Sequence, residues 1–220
     1  MTYQPFWFDQ AMAEETISVS STSIDENPYD IAIIGGGFTG LWTAITIKQR
    51  APKTRIVILE KDLCGQGASG RNGGAMLTWS TKYLSLKKRF GESQAKWLVQ
   101  QSENAVHAIS QFAKEHNIDC DFSPGIINAT INRKDTNNLF DEVNNLKKKY
   151  QYTKIQKLSS SELSTIIDTD LYDGGCLDFG AGHLNPLKFV QGLGTAAKKN
   201  NVQIFAFLFY HSIREKESNT

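Results

Sequence analysis

The sequence predicts an α/β fold that begins with a Rossmann-like βαβ unit, because two apolar runs have a glycine motif between them. The run at 31–34 is continuously apolar, as in a strand buried on both faces, and leads into a GxGxxG motif at 35–40. A second apolar run at 55–59 ends at Glu60, twenty positions after the last glycine of the motif. This order of strand, glycine turn, helix and strand places a dinucleotide at the N-terminus of the helix.

Each glycine of the motif has a separate predicted role. Gly35 allows the tight turn, Gly37 lets the backbone approach a pyrophosphate, and Gly40 lets the helix pack closely against the strand. Glu60 stands where a carboxylate can bind the hydroxyls of an adenosine ribose, and it would repel a 2′-phosphate. The sequence therefore predicts a dinucleotide site that does not favour NADP.

The composition argues against several other classes of function. The 220 residues carry 24 basic and 23 acidic side chains, and the net charge of +1 gives no field that would attract nucleic acid or an anionic membrane. Cys64, Cys120 and Cys176 form no CxxC pair, which argues against a disulfide framework or a zinc site. With no export signal and no apolar run of membrane-spanning length, we expect a cytoplasmic protein.

Beyond the βαβ unit, the periodicity of apolar residues predicts a mixture of helices and strands. In chain order it predicts a helix at 91–117, a strand at 125–132, a helix at 135–150, a strand at 153–157, a short capped helix at 159–162, a helix at 185–199 and a strand at 202–209. The aromatic residues at 6–8 lie in a polar lead and are expected to dock on the body of the protein, since exposed aromatic rings are costly.

A second glycine-rich segment, at 65–74, begins five residues after Glu60 and so leaves the carboxyl end of the second strand. Ligands of open α/β sheets bind at that end. Its five glycines let the backbone approach a flat ligand, while Ser69, Arg71 and Asn72 supply donors for an anion. The alternative is a flexible surface loop, which the glycine content alone would also support.

These two segments together resemble a known family. The motif at 35–40 and Glu60 are followed by the string Gly-Ala-Ser-Gly-Arg-Asn-Gly-Gly at 67–74. They resemble the FAD-dependent oxidoreductases of the glycine/D-amino-acid oxidase superfamily. The segment at 180–187 and the aromatic lead at 6–10 are similar to the branch of that superfamily that contains gamma-glutamylputrescine oxidase.

The resemblance implies FAD, held without a covalent bond, and a small-molecule amine or amino acid as substrate. The residues that would hold FAD are Gly35, Gly37, Phe38, Thr39 and Gly40 at the pyrophosphate, Glu60 and Lys61 at the adenosine, and Ser69, Arg71, Asn72, Gly73 and Gly74 toward the phosphates and the flavin. The family chemistry is hydride transfer from the carbon that bears nitrogen to flavin N5, which gives an imine that water hydrolyses. Cys64 is interpreted as a packing residue and not as a flavin link.

The resemblance also implies a division into domains. It predicts an N-terminal arm at 1–28, a first FAD-binding segment at 29–84, part of an α+β substrate domain at 85–180 and a return to the FAD-binding domain at 181–220. Chains of the family are longer, so we expect a truncated chain without the closing elements. Full catalysis would then need the missing half, either as a second chain or as sequence lost to truncation. Tyr210 stands where the family has a valine near the adenine.

Two alternatives stay open at this point. One is a non-catalytic FAD-binding fragment or subunit, which the early end of the chain favours. The other is an NAD-dependent dehydrogenase, which shares the first βαβ unit but predicts further regular βα alternation after Glu60. His183 is interpreted as a turn or surface histidine, and Asp178 and Tyr172 are given no catalytic role.

Overall fold

The computed structural model describes residues 5–13 and 27–207, which fall into two units. The first unit combines the described residues of Met1–Gly73, His116–Cys120 and Asn185–Thr220, and the second combines Gly74–Glu115 with Asp121–Leu184. The predictions for most of the N-terminal arm and for Tyr210 lie outside the described residues. The domain borders expected from the sequence stay a prediction.

The described part of the chain contains seven α-helices and seven β-strands. In chain order they are α1 Phe6–Ala13, β1 Ile31–Ile34, α2 Phe38–Arg50, β2 Ile56–Leu59, β3 Ala75–Met76, α3 Tyr83–Phe90, α4 Glu92–Glu115, β4 Ser123–Thr130, α5 Arg133–Asn145, β5 Ile155–Ser159, α6 Ser160–Ile167, β6 Gly174–His183, α7 Pro186–Lys199 and β7 Gln203–Phe205. No helix of this described part is both long and apolar enough to span a membrane.

The first unit contains a parallel sheet in the order β1-β2-β7. The central strand β2 is buried, and α2 packs its predicted apolar face inward through Leu41, Ala44 and Ile45. The predicted βαβ unit is therefore confirmed. The expectation that the strand at 31–34 is buried on both faces is wrong, because β1 lies at the edge of the described sheet and Ile34 on one face is 47% exposed.

The helix α7 begins where the sequence places its cap. The side-chain oxygen of Asn185 accepts hydrogen bonds from the N–H groups of Leu187 and Lys188, both at 3.1 Å, and Pro186 occupies the first turn, where its missing N–H costs nothing. The helix ends at Lys199 with Asn200 as its C-cap, and Asn201 takes the left-handed conformation with φ 57°. Both ends of this helix are thus encoded locally.

The second unit is built on the antiparallel strand β6, which pairs with β3, β4 and β5. The apolar periodicity of the sequence does not predict this strand, because four glycines interrupt its apolar pattern. The structure gives a reason for the glycines. A methyl group on Gly175 would lie 2.6 Å from the carbonyl oxygen of Asn128 on β4, so close strand packing requires the absence of a side chain.

The helices α3 and α4 cover the core of this unit, and the buried residues of α4 differ in part from those that the sequence predicts. The long helix α4 confirms the helix predicted at 91–117, and Ala95 and Val99 are buried on its inner face. Ala105, which the apolar periodicity placed on that face, is exposed. Glu103 is buried there instead, with its carboxylate 3.1 Å from the ammonium of Lys154. The helix α3 was not predicted.

A buried carboxylate, Asp178, organises the polar part of the second unit. It is 2% exposed and accepts hydrogen bonds from the hydroxyls of Thr78 and Tyr152, both at 2.7 Å, from the hydroxyl of Ser80, and from the N–H of Gly180 at 2.8 Å. Burial, followed by the hydrogen bond to Asp178, raises the pKa of the Tyr152 hydroxyl. His183 is exposed at the end of β6.

Replacing Asp178 by alanine should lower the free energy of unfolding by about 3 kcal/mol or more, because four donors lose their acceptor inside the protein. The matched control is Asp170→Ala at an exposed position, for which we expect a change of less than about 0.5 kcal/mol. Urea unfolding followed by circular dichroism measures both. An equal decrease of the free energy of unfolding in the two variants would contradict a stabilising role of the hydrogen bonds to Asp178.

Candidate functional site

The candidate site starts at the turn between β1 and α2. Gly35 has φ 104°, a conformation that residues with a side chain rarely adopt, and its N–H donates to the carbonyl of Leu59 at 2.8 Å. A side chain on Gly40 would overlap the carbonyl oxygen of Gly35. The turn can therefore fold tightly only with glycine at both positions, as the motif predicts.

The carboxylate of Glu60 closes this turn from the end of β2. One of its oxygens accepts the N–H of Gly36 at 2.7 Å, and the other accepts the N–H of Asp62 at 3.0 Å. A carboxylate oxygen accepts more than one hydrogen bond, so both can still receive a hydroxyl from a ligand. Glu60 thus fixes the backbone at Gly36 and Asp62.

The second glycine-rich segment packs directly onto the first. The N–H of Gly65 donates to the carbonyl of Gly36 at 3.1 Å, and the hydroxyl oxygen of Ser69 accepts the N–H of Phe38 at 2.9 Å. Helix α2 has no cap from its own N-cap residue, Gly37, so Ser69 supplies a cap from another part of the chain. A methyl group on Gly37 would lie 2.8 Å from the Ser69 oxygen, which explains the glycine there.

Several donors of the second segment hold the segment itself. The Asn72 side-chain amide donates to the carbonyls of Ala68 and Ser69, at 3.2 and 2.9 Å, and Arg71 donates through Nε to the carbonyl of Gln66 at 2.6 Å. These bonds surround a short 3₁₀ turn at Ala68–Gly70. The segment is therefore an ordered loop, and not the flexible surface loop that its glycine content alone would also support.

The two segments border one open cavity of about 460 Å³. Five of the predicted residues line it, and these are Gly37, Glu60, Lys61, Ser69 and Arg71. The other lining residues are Asp62, Gly65, Gln66, Gly67 and Ala68, which were not among the predicted cofactor contacts. Gly65, Gln66, Gly67 and Ala68 belong to the second glycine-rich segment, and Asp62 lies between that segment and Glu60. Side chains of both charges face the same cavity.

The remaining predicted residues lie around this cavity or away from it. Gly35, Phe38, Thr39 and Gly40 form the turn and the first turn of α2, while Asn72 and Gly73 are exposed at the end of the loop. Gly74 lies in the second unit, where its carbonyl accepts the N–H of Leu184 at 3.0 Å.

The cavity has the chemistry that a dinucleotide requires. Amides at the start of α2 suit phosphate oxygens, and the carboxylate of Glu60 suits ribose hydroxyls. The cavity-lining Gly67 has nothing within 4 Å of the position that a side chain would occupy, so a flat group can approach the backbone there. The residues present thus fit a nucleotide cofactor of the kind that the resemblance implies.

Cys64 lies beneath the turn and not in the cavity. It is buried, and a side chain on Gly36 would overlap its sulfur atom. Burial, and next the negative charge of Glu60, raise the pKa of the Cys64 thiol to about 11. This environment supports the interpretation of Cys64 as a packing residue.

Comparison with protein families gives one match over most of the chain. The DAO family, described as FAD dependent oxidoreductase, matches residues 30–210. Probable oxidoreductase OrdL of Haemophilus influenzae is 30% identical over 177 residues, and Gamma-glutamylputrescine oxidoreductase of Escherichia coli is 29% identical over 177 residues. Each alignment covers 80% of this chain and 41% of the relative, so the chain spans about two fifths of their length.

Solved structures show the same fold at lower sequence identity. L-amino acid deaminase from Proteus vulgaris aligns with a TM-score of 0.70 and 17% identity, over 91% of this chain and 45% of that chain. Glycine oxidase from Geobacillus kaustophilus aligns with a TM-score of 0.60 and 20% identity, over 81% of this chain and 46% of that chain. At these identities the likeness concerns the fold alone.

Replacing Gly40 by alanine should lower the free energy of unfolding by about 3 kcal/mol, since the new methyl group meets a backbone oxygen that cannot move aside. The control is Gly67→Ala, where a methyl group has open space and φ is −76°. Thermal unfolding should show the control within about 1 kcal/mol of the wild type. An equally large loss for Gly67→Ala would contradict the assignment of the clash.

Cys64 should resist alkylation in the folded protein. At about pH 8, a thiol whose pKa is about 11 is ionised to about one part in a thousand, and the thiolate is the reactive form. Iodoacetamide labelling followed by peptide mass spectrometry should leave Cys64 unmodified in buffer and label it in concentrated urea. Rapid labelling in buffer would show that the thiol is accessible and ionised.

Proposed function

The chain belongs to the DAO family of FAD-dependent oxidoreductases, and from that premise we propose that its first unit binds FAD for the oxidation of an amine or amino acid. The observation that carries the proposal is the cavity where Glu60 and the capped start of α2 meet. It offers a carboxylate at one position and backbone amides at another, as an adenosine ribose and a pyrophosphate need.

The adenosine end of FAD would bind at Glu60. Its carboxylate is held by two backbone N–H groups, so it does not have to be ordered when the ligand arrives. Lys61 lies beside it, with a side chain that is 73% exposed and an ammonium 3.9 Å from the carboxylate of Asp62, and would add a positive charge on the adenine side of the cavity. The negative charge of Glu60 disfavours a ribose that carries a 2′-phosphate.

The pyrophosphate would bind at the start of α2, with Ser69 at its side. The Ser69 oxygen accepts the N–H of Phe38, which leaves the hydroxyl proton available for a phosphate oxygen. The helix dipole adds a partial positive charge at the same place. Arg71, which lines the cavity, is a further cation in reach of an anionic ligand.

FAD, when bound, supplies the acceptor for a hydride from the carbon that bears the substrate nitrogen. The contribution of this chain is to hold the cofactor and fix its orientation. The name of the Escherichia coli relative supports an amine as substrate, since that protein is a gamma-glutamylputrescine oxidoreductase. We propose an amine or amino acid as the substrate class.

Two other functions compete with this proposal. A non-catalytic FAD-binding fragment or subunit has support from the span of the chain, which is about two fifths of the curated relatives. An NAD-dependent dehydrogenase has less support, because a long ordered loop and an antiparallel unit follow β2 instead of further βα alternation.

The first test is binding of FAD to the purified chain. Glu60→Gln should weaken FAD binding about tenfold to a hundredfold, since a charge-assisted hydrogen bond to the ribose becomes a neutral one. The control is Glu115→Gln, an exposed carboxylate in the second unit. Quenching of flavin fluorescence gives the affinities, and circular dichroism checks that both variants fold.

The outcomes separate the three functions. FAD that stays bound through gel filtration and is reduced by amines without oxygen supports the oxidoreductase. FAD that binds but is reduced by no amine or amino acid supports the fragment or subunit. Tighter binding of NAD than of FAD supports the dehydrogenase, and equal FAD affinity of Glu60→Gln and wild type contradicts the site.

A further inference from the structure

The N-terminal helix α1 contacts two other segments of the first unit. Near its start, the indole N–H of Trp7 donates to the backbone carbonyl of Asn72, at 2.8 Å. Farther along, the side-chain carbonyl of Gln10 accepts a hydrogen bond from the amide of Asn185 at 2.9 Å. The helix thus joins the end of the second glycine-rich segment to the cap of α7.

These contacts decide where α1 lies. A helix of eight residues is not stable by itself in water, so its position depends on packing and on its hydrogen bonds to other segments. Phe8 between the two contacts is 1% exposed, while the neighbouring Phe6 is 70% exposed. The docking of aromatic residues expected from the sequence therefore concerns Phe8 and Trp7, and α1 packs against α7.

The contact of Trp7 continues as a chain of hydrogen bonds to the start of α2. Trp7 holds the backbone of Asn72, and the Asn72 amide holds the carbonyl of Ser69 at 2.9 Å. The Ser69 hydroxyl in turn accepts the N–H of Phe38 at 2.9 Å. Movement of Asn72 would therefore disturb the cap of the helix that faces the cavity.

We propose that α1 is a strap that fixes the loop at 65–73, with Trp7 and Gln10 as positioning residues for the cofactor site. Neither side chain lines the cavity. Trp7 fixes the loop directly, and Gln10 fixes the strap to the buried Asn185. The effect on FAD rests on the proposed function, whereas the ordering of the loop does not.

The first experiment tests the strap without any cofactor. Trypsin cleaves after Arg71, which is exposed and lies next to the residue that Trp7 holds. Trp7→Phe keeps an aromatic ring and removes the N–H donor. We expect cleavage after Arg71 to become about fivefold faster, the factor that corresponds to a net hydrogen bond of about 1 kcal/mol. Mass spectrometry follows the bond after Arg71 and, as an internal reference, the bond after Arg89.

Matched variants distinguish a positioning role from general damage. Asp9→Asn changes an exposed side chain of α1 and should leave the rate at Arg71 unchanged. Gln10→Leu removes the acceptor of the Asn185 amide and should accelerate cleavage, while Gln10→Glu keeps an acceptor and should restore the wild-type rate. Cleavage after Arg71 at the wild-type rate in both Trp7→Phe and Gln10→Leu would overturn the proposal that α1 fixes the loop at 65–73.

The second experiment measures release of FAD by the rise of flavin fluorescence after dilution. If the strap holds the loop over the cofactor, Trp7→Phe and Gln10→Leu release FAD about fivefold faster than Asp9→Asn and the wild type. Unchanged release together with faster cleavage would remove the cofactor role and leave a structural one. A wild-type chain that retains no FAD would refute the proposed function, and the cleavage rates would still decide on the strap.

Discussion

A hydrogen bond between the Phe38 N–H and the Ser69 hydroxyl joins the two glycine-rich segments of the first unit, and the geometry of the cavity depends on it. Helix α2 lacks a cap of its own, because Gly37 has no side chain to offer. A cap of this kind contributes about 1 kcal/mol to helix stability. It also brings Ser69 beside the amides that would receive a pyrophosphate, so one contact both stabilises the helix and sets the shape of the proposed pyrophosphate site.

The glycines of the motif follow from the same constraint. Gly36 and Gly37 lie against Cys64 and Ser69, and Gly40 lies against the carbonyl of Gly35, so a side chain at any of the three positions would meet an atom already there. Because these positions have no side chain, the loop can contact the turn and a ligand can approach the backbone. The close packing of the second glycine-rich segment therefore limits which residues can replace the glycines of the first.

The second unit also combines closely packed glycines with a buried polar side chain, the carboxylate of Asp178. The glycines of β6 let neighbouring strands and helices approach closely, and Asp178 on the same strand collects donors from β6 itself, from Tyr152 and from the segment around Thr78. A carboxylate with so many partners tolerates little displacement. In both units, small residues create the space, and a hydrogen bond between polar groups of distant segments fixes the geometry.

The sequence by itself determined the features that depend on neighbouring residues. The βαβ unit, the Asn185 cap of α7 and the capping box of Ser159 with Glu162 were all readable, because each arises within one strand, turn or helix end. Only the tertiary structure decided that β6 is the central strand of its sheet, that Ser69 caps α2, and that Trp7 holds Asn72. Trp7 and Asn72 are 65 positions apart, and Phe38 and Ser69 are 31 apart. No local pattern encodes such contacts, because they form only when packed segments bring a donor and an acceptor together.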